Sequence, residues 1–103
     1  MSVKMVTAEA HEEKQVKHSG KEEGVQGQSY PVGGAYPLPV PHATVVISGG
    51  ATIPTGNYRN VRVGVELHVP CPVDQIDEAY GNAKDWVDDR MSELVSEAEA
   101  AIS

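Results

Sequence analysis

From Val61 to Val69 every second residue is apolar: Val61, Val63, Val65, Leu67 and Val69 alternate with Arg62, Gly64, Glu66 and His68. Side chains on a strand point alternately to its two faces, so this run must bury one face and wet the other. It therefore needs a neighbouring strand to pair with and something apolar to cover it. Upstream, Ala43, Val45, Ile47, Ala51 and Ile53 oppose Thr44, Ser48 and Thr52 with the same period. Between the two runs, Pro54-Thr-Gly-Asn57 supplies a turn, with proline presetting φ and Gly or Asn able to take φ > 0. The economical reading is an antiparallel hairpin. Gly49-Gly50, inside the first strand, reads as a bulge or bend, or else as a turn that shortens that strand.

Pro70-Cys71-Pro72 stops the second strand, and the apolar period then lengthens. Ile76, Tyr80, Ala83, Val87, Met91, Leu94, Ala98 and Ile102 are spaced by three or four, which is one face of a long amphipathic helix, with Trp86 beside the stripe. Asp74 is placed as its N-cap, and Asp77 and Glu78 put negative charge in the first turn, where the helix dipole favours it. At 1.5 Å per residue, Asp74 to Ile102 spans about 43 Å. Gly81 and Asn82 are its weak point, at a cost of up to about 1 kcal/mol relative to Ala.

The predicted fold is α+β: an antiparallel β-hairpin followed by one long amphipathic C-terminal helix, in a ββα domain over residues 43–103. Residues 1–42 read as a flexible tail: a mixed-charge polar run, a Gly/Gln/Ser stretch, then Tyr30-Pro-Val-Gly-Gly-Ala-Tyr-Pro-Leu-Pro-Val-Pro41. Little in it buries apolar area against the cost of ordering the chain. Pro37, Pro39 and Pro41 favour an extended polyproline-like tether, on which Tyr30, Tyr36, Leu38 and Val40 offer a docking motif as the alternative.

A two-stranded ribbon under one helix is marginal alone in water, and about 60 ordered residues make a thin core. Aromatics are only 5% of the chain and Phe is absent. Self-association is therefore expected, most simply as a homodimer, with Val61, Val63, Val65, Tyr80, Val87, Met91 and Leu94 at the interface or two hairpins joined into one four-stranded sheet.

The net charge is -7, and residues 74–102 alone hold nine acidic against two basic residues. That balance argues against duplex DNA, whose binding requires Lys and Arg at phosphates. A solvated acidic helix face is the plain explanation. The sharper one makes Asp85, Asp88, Asp89 and Glu93 the contact for a protein partner. Tyr58, Arg59 and Arg62 form the one basic-plus-aromatic grouping, which would suit single-stranded nucleic acid on an aromatic platform.

No catalytic constellation is expected, nor a cofactor or metal site. His68 and Cys71 make a pair, but a zinc site takes three or four ligands and His11, His18 and His42 lie in the predicted tail. Ser48-Gly-Gly-Ala-Thr-Ile-Pro-Thr-Gly56 matches neither phosphate-loop nor dinucleotide fingerprints, in which glycines lead directly into a helix. The single cysteine, Cys71, and the lack of an apolar leader or membrane-length apolar run are read as a cytoplasmic protein.

The segment Gly56-Asn-Tyr-Arg-Asn-Val-Arg-Val-Gly-Val-Glu-Leu-His-Val69, then Pro-Cys-Pro, Asp77-Glu-Ala-Tyr80 and Trp86-Val-Asp-Asp-Arg90, resembles small phage and prokaryotic proteins of uncharacterised role. In those a Gly-Asn-Tyr turn also precedes an alternating strand and a long acidic helix. The resemblance covers about the last half of the chain and implies a phage origin, with a host-cytoplasm setting, but no role for any residue. The expectation is a non-enzymatic acidic interaction protein that oligomerises and binds a protein, with a single-stranded nucleic-acid accessory as the alternative.

Overall fold

The computed structural model describes residues 2–18, 21–56 and 59–102. Four strands, β1 (Val3–His18), β2 (Lys21–Pro39), β3 (Ala43–Gly56) and β4 (Arg59–Cys71), precede a 3₁₀ turn at Val73–Gln75 and the helix α1 (Ile76–Ile102). All pairings are antiparallel, in the order β2-β1-β4-β3. Long strands and a 27-residue helix make the molecule an elongated slab of 59 × 21 × 20 Å.

The hairpin and the helix stand where the sequence places them. Thr55 Oγ1 donates to the Arg59 carbonyl at 3.0 Å, and Gly56 takes φ +83°, a left-handed conformation that favours glycine. Asn57 lies outside the described residues.

The N-terminal reading is corrected. Residues 1–42 are not a tail: β1 and β2 form a second hairpin, and β1 pairs along β4 from Glu9↔His68 to His18↔Arg59. The four-stranded sheet expected from two copies is made by one chain. The inward positions of β1 are Ala8, Ala10, Glu12, Lys14 and Val16, where small side chains and two charged ones replace the bulky apolar residues that make β4 conspicuous. The strand is recruited by the unpaired edge of β4, a non-local cause that its own composition does not display.

Nor is the proline run a tether. Val3↔Pro39 and Met5↔Pro37 are paired positions, and the Val40 N–H turns inward to donate to the Ser2 carbonyl at 3.1 Å. The alternate positions, Pro37 and Pro39, accordingly place their missing N–H on the outer side of an edge strand, where a sheet tolerates proline. Tyr36 reaches past β1 to donate to the Pro70 carbonyl at 2.6 Å.

Gly49-Gly50 is neither bulge nor turn. β3 runs straight through, with Gly49↔Val65 and Gly50↔Gly64 in register. A Cβ on Gly49 would sit 3.3 Å from Met91 Cγ and 3.4 Å from Val87 Cγ1, so the glycine lets the helix approach. Asp74 is not an N-cap: it lies inside the 3₁₀ turn, which starts after Pro72 and is closed by Gln75 N–H donating to the Pro72 carbonyl at 3.0 Å.

The helix stripe is rotated from the predicted one in its first turns. Ala79, Ala83, Val87 and Ala98 are buried, with Trp86, Met91, Leu94 and Val95 packed beside them, whereas Ile76 and Tyr80 are 42% and 52% exposed. The side chain of Ile102 lies outside the described part. Small alanines bring α1 close to the sheet, so at that end the large residues stand at the flanks of the contact. Val61, Val63, Val65 and Val87 are buried in the chain's own core, and so is the lone Cys71. Among the described residues no helix is long and apolar enough to cross a membrane.

Candidate protein-docking groove

Four strands spaced about 4.8 Å apart present a face about 19 Å wide, and a helix with its side chains is about 10 Å across. One helix therefore leaves part of it uncovered. α1 packs on β3 and β4 and its flank closes over the inner face of β1, where Ala8, Ala10 and Glu12 are buried, so that β2 is the strand left most open. The result is a groove between α1 and the N-terminal hairpin.

Near the helix N-terminus the groove deepens into a cleft of about 280 Å³. Its apolar surface comes from Ala8 and Val32 of the N-terminal hairpin, Leu67 and Val69 of β4, and Ala79, Ala83 and Trp86 of α1. Glu78 and Asn82 stand at its rim. Glu78, Asn82 and Trp86 at the cleft and Arg90, Leu94 and Glu97 farther along, spaced by three or four, lie on the side of α1 that faces the N-terminal hairpin.

Midway along the groove, Glu12 and Arg90 join floor to wall. Glu12 is only 5% exposed and accepts from Arg90 Nε at 2.5 Å, from Gln28 Nε2 at 3.1 Å and from the Tyr30 hydroxyl. Burial alone would push the Glu12 carboxyl up, but the hydrogen bonds from Arg90, Gln28 and Tyr30 together hold it below the usual carboxylate range. Its hydrogen bond, followed by that of Glu93 at 2.7 Å, raises the Arg90 guanidinium. Burial, reinforced by the neighbouring Glu12, raises the Tyr30 phenol. A carboxylate with three donors is well satisfied, so the cluster pins the N-terminal hairpin to the helix.

The four predicted partner-binding carboxylates separate. Glu93 is tied to Arg90 beside the groove, and Asp89 is exposed. Asp88 turns the other way to accept from Lys84 Nζ at 3.0 Å, which raises the Lys84 ammonium, and Asp85 faces outward.

The predicted nucleic-acid residues do not converge. Arg59 and Arg62, three apart on β4, point to opposite faces of the sheet, and Tyr58 lies outside the described residues. The face holding Arg62 also carries Glu9, Glu13 and Glu66, so it is not a basic surface. There His11 bonds Ser29 Oγ at 2.8 Å and Glu13 at 3.3 Å, and His68 lies 3.0 Å from Glu66. His68 and Cys71 likewise fall on opposite faces. Among the described residues no three His, Cys, Asp or Glu side chains are grouped to hold a metal ion.

Ala8, Glu12, Gln28 and Val32 were hidden in the expected tail, and Glu78 and Glu97 in the general acidity of the helix. One signal was present: Val6, Ala8 and Ala10 alternate with Thr7, Glu9 and His11, a faint period of two that leads to an inward Glu12. No family model matches the chain, and neither a curated protein nor a solved structure shows significant similarity to it.

Proposed function

We propose that this chain is a non-enzymatic interaction protein that binds a protein partner through the groove between α1 and the β1–β2 half of its sheet. The observation that carries the reading is the apolar cleft containing Trp86, which opens between α1 and the N-terminal hairpin with Glu78 and Asn82 at its rim. Exposed apolar concavities rimmed by polar residues are the usual form of a macromolecular docking site. The single-stranded nucleic-acid alternative gains no support from arginines that face apart.

Self-association belongs to the same reading. The outer edge of β3 is free of proline from Ala43 to Ile53 and exposes Val46, so two copies pair there as a dimer that leaves the groove open on the far side. Tyr80, Met91 and Leu94 stand on the helix flank or under it and are not needed for that contact.

The test is capture from a lysate of the source organism at low and moderate salt, with light scattering on the same sample. The expected result is a dimer that becomes monomeric in Val46→Lys and retains a protein which Glu78→Gln/Glu93→Gln/Glu97→Gln releases. Equal retention by wild type and that triple variant, or capture of nucleic acid alone, refutes the reading.

A further inference from the structure

Resting on the β3 edge contact of that reading, we infer that the two helices of the dimer pack against each other, with Tyr80 of each copy over Val95 of the other. α1 lies over β3 and β4 and runs along them, its first half against Val45 and its second half against Ile53. When two β3 edges pair, the line between β3 and β4 in one copy stands two strand spacings from its equivalent, about 10 Å. That is the distance between the axes of packed helices. Each strand step turns the sheet by about −20 to −25°, so the helices cross at about −40 to −50°, close to the commonest packing class. Edge pairing alone does not require the helices, but it brings them into contact.

The strand sets the register. β3 is free of both charge and proline from Ala43 to Ile53, and Ser48 is the midpoint of that run. With Ser48 on the two-fold axis, large side chains meet small ones: Val46 faces Gly50 of the second copy and Ile47 faces Gly49, while Thr44 pairs with Thr52. A Cβ on Gly49 would touch both Val87 and Met91, so Gly49 lies beneath about residue 89 and Ser48 beneath about residue 87. Helix residues whose numbers sum to about 174 then stand opposite each other. On the flank above β3, Tyr80 is 52% exposed and meets Val95 of the second copy. Lys84 holds its own Asp88 at 3.0 Å and reaches Asp88 of the second copy, so the two pairs close into an alternating ring of charge. Glu78 and Glu97 lie on the opposite flank, toward the hairpin. Asp77 and Glu99 face each other only at the splayed ends, where the axes are about 16 Å apart, beyond the screening length of about 8 Å at physiological salt.

Cysteine cross-linking and light scattering on the full chain test this; its own Cys71 is buried, so wild type is the unlinked control. On mild oxidation Ser48→Cys and Asp88→Cys, both exposed and both close to the two-fold axis, are expected to give disulfide-linked dimers on non-reducing gels. Asp89→Cys, equally exposed but turned to another side of α1, is expected to run as a monomer. Lys84→Glu sets a carboxylate against Asp88 of the second copy and is expected to weaken the dimer about tenfold or more, and the swap Lys84→Glu/Asp88→Lys to restore it. The substituted positions are exposed, so thermal melts should show every variant folded. A dimer that Ser48→Cys links and Asp88→Cys does not, equal linking by Asp88→Cys and Asp89→Cys, or a Lys84→Glu dimer as tight as wild type overturns the inference and leaves edge pairing intact. A dimer linked at neither Ser48 nor Asp88 overturns the register and the helix contact with it. A wild-type chain that stays monomeric overturns the self-association reading itself.

Discussion

Replacing Glu12 with Gln keeps the shape of the most buried polar side chain in the groove and removes its charge. Glu12 is 5% exposed and accepts from three donors, of which Arg90 is charged. A hydrogen bond to a charged group contributes about 1.5 to 3 kcal/mol. Arg90 is 23% exposed and keeps Glu93 at 2.7 Å, so water and that second carboxylate soften the loss. The expected cost is about 2 kcal/mol, or a fall in Tm of roughly 8 to 16 °C for a domain of this size. Arg90→Met is expected to cost more, about 3 kcal/mol, because it leaves a buried carboxylate with only Gln28 and Tyr30. In a double-mutant cycle followed by urea unfolding, the double variant should cost less than the sum by about 1 to 2 kcal/mol. The pH dependence follows from the same carboxyl. Its folded value is lowered, so its contribution is complete above the unfolded value of about 4.3 and is lost as pH falls through the lower folded value. Glu12→Gln should lack that acid limb. Additive single costs, or a Glu12→Gln variant within about 0.5 kcal/mol of wild type, would refute the argument that this pair joins hairpin to helix.

Gly81 is an exposed helix residue at which an added Cβ would meet nothing within 4 Å, so Gly81→Ala should raise stability by up to about 1 kcal/mol in thermal melts. Gly49→Val should destabilise by about 1 to 3 kcal/mol through collision with Met91 and Val87, whereas Gly50→Val, whose Cβ would meet only the Val63 carbonyl at 3.5 Å, should cost less. Equal effects would remove helix approach as the reason for Gly49. A fragment of residues 43–103 loses β1 and β2 and with them the neighbour of β4; circular dichroism and urea titration should show no cooperative unfolding, and a cooperative transition would restore the ββα domain as a folding unit.

Val61 to Val69 and the stripe from Ala83 to Ala98 were legible because each carries its period in its own residues, 2 in one case and near 3.6 in the other. Local information was enough for the β3–β4 hairpin, for its turn at Gly56, and for the course of the helix. It was not enough for β1 and β2. Ala8, Ala10 and Glu12 look like a polar tail until β4 offers an edge to pair with and Arg90 arrives 78 residues later to neutralise the carboxylate. The same holds for the site. Trp86 and the acidic residues are visible in sequence, but which carboxylates face one groove depends on how far one helix reaches across a sheet of four strands. Periodicity is a property of neighbours along the chain and can be read from it; strand recruitment, a buried ion pair and an apolar cleft between helix and hairpin depend on residues distant in sequence, and only the packed chain brings them together.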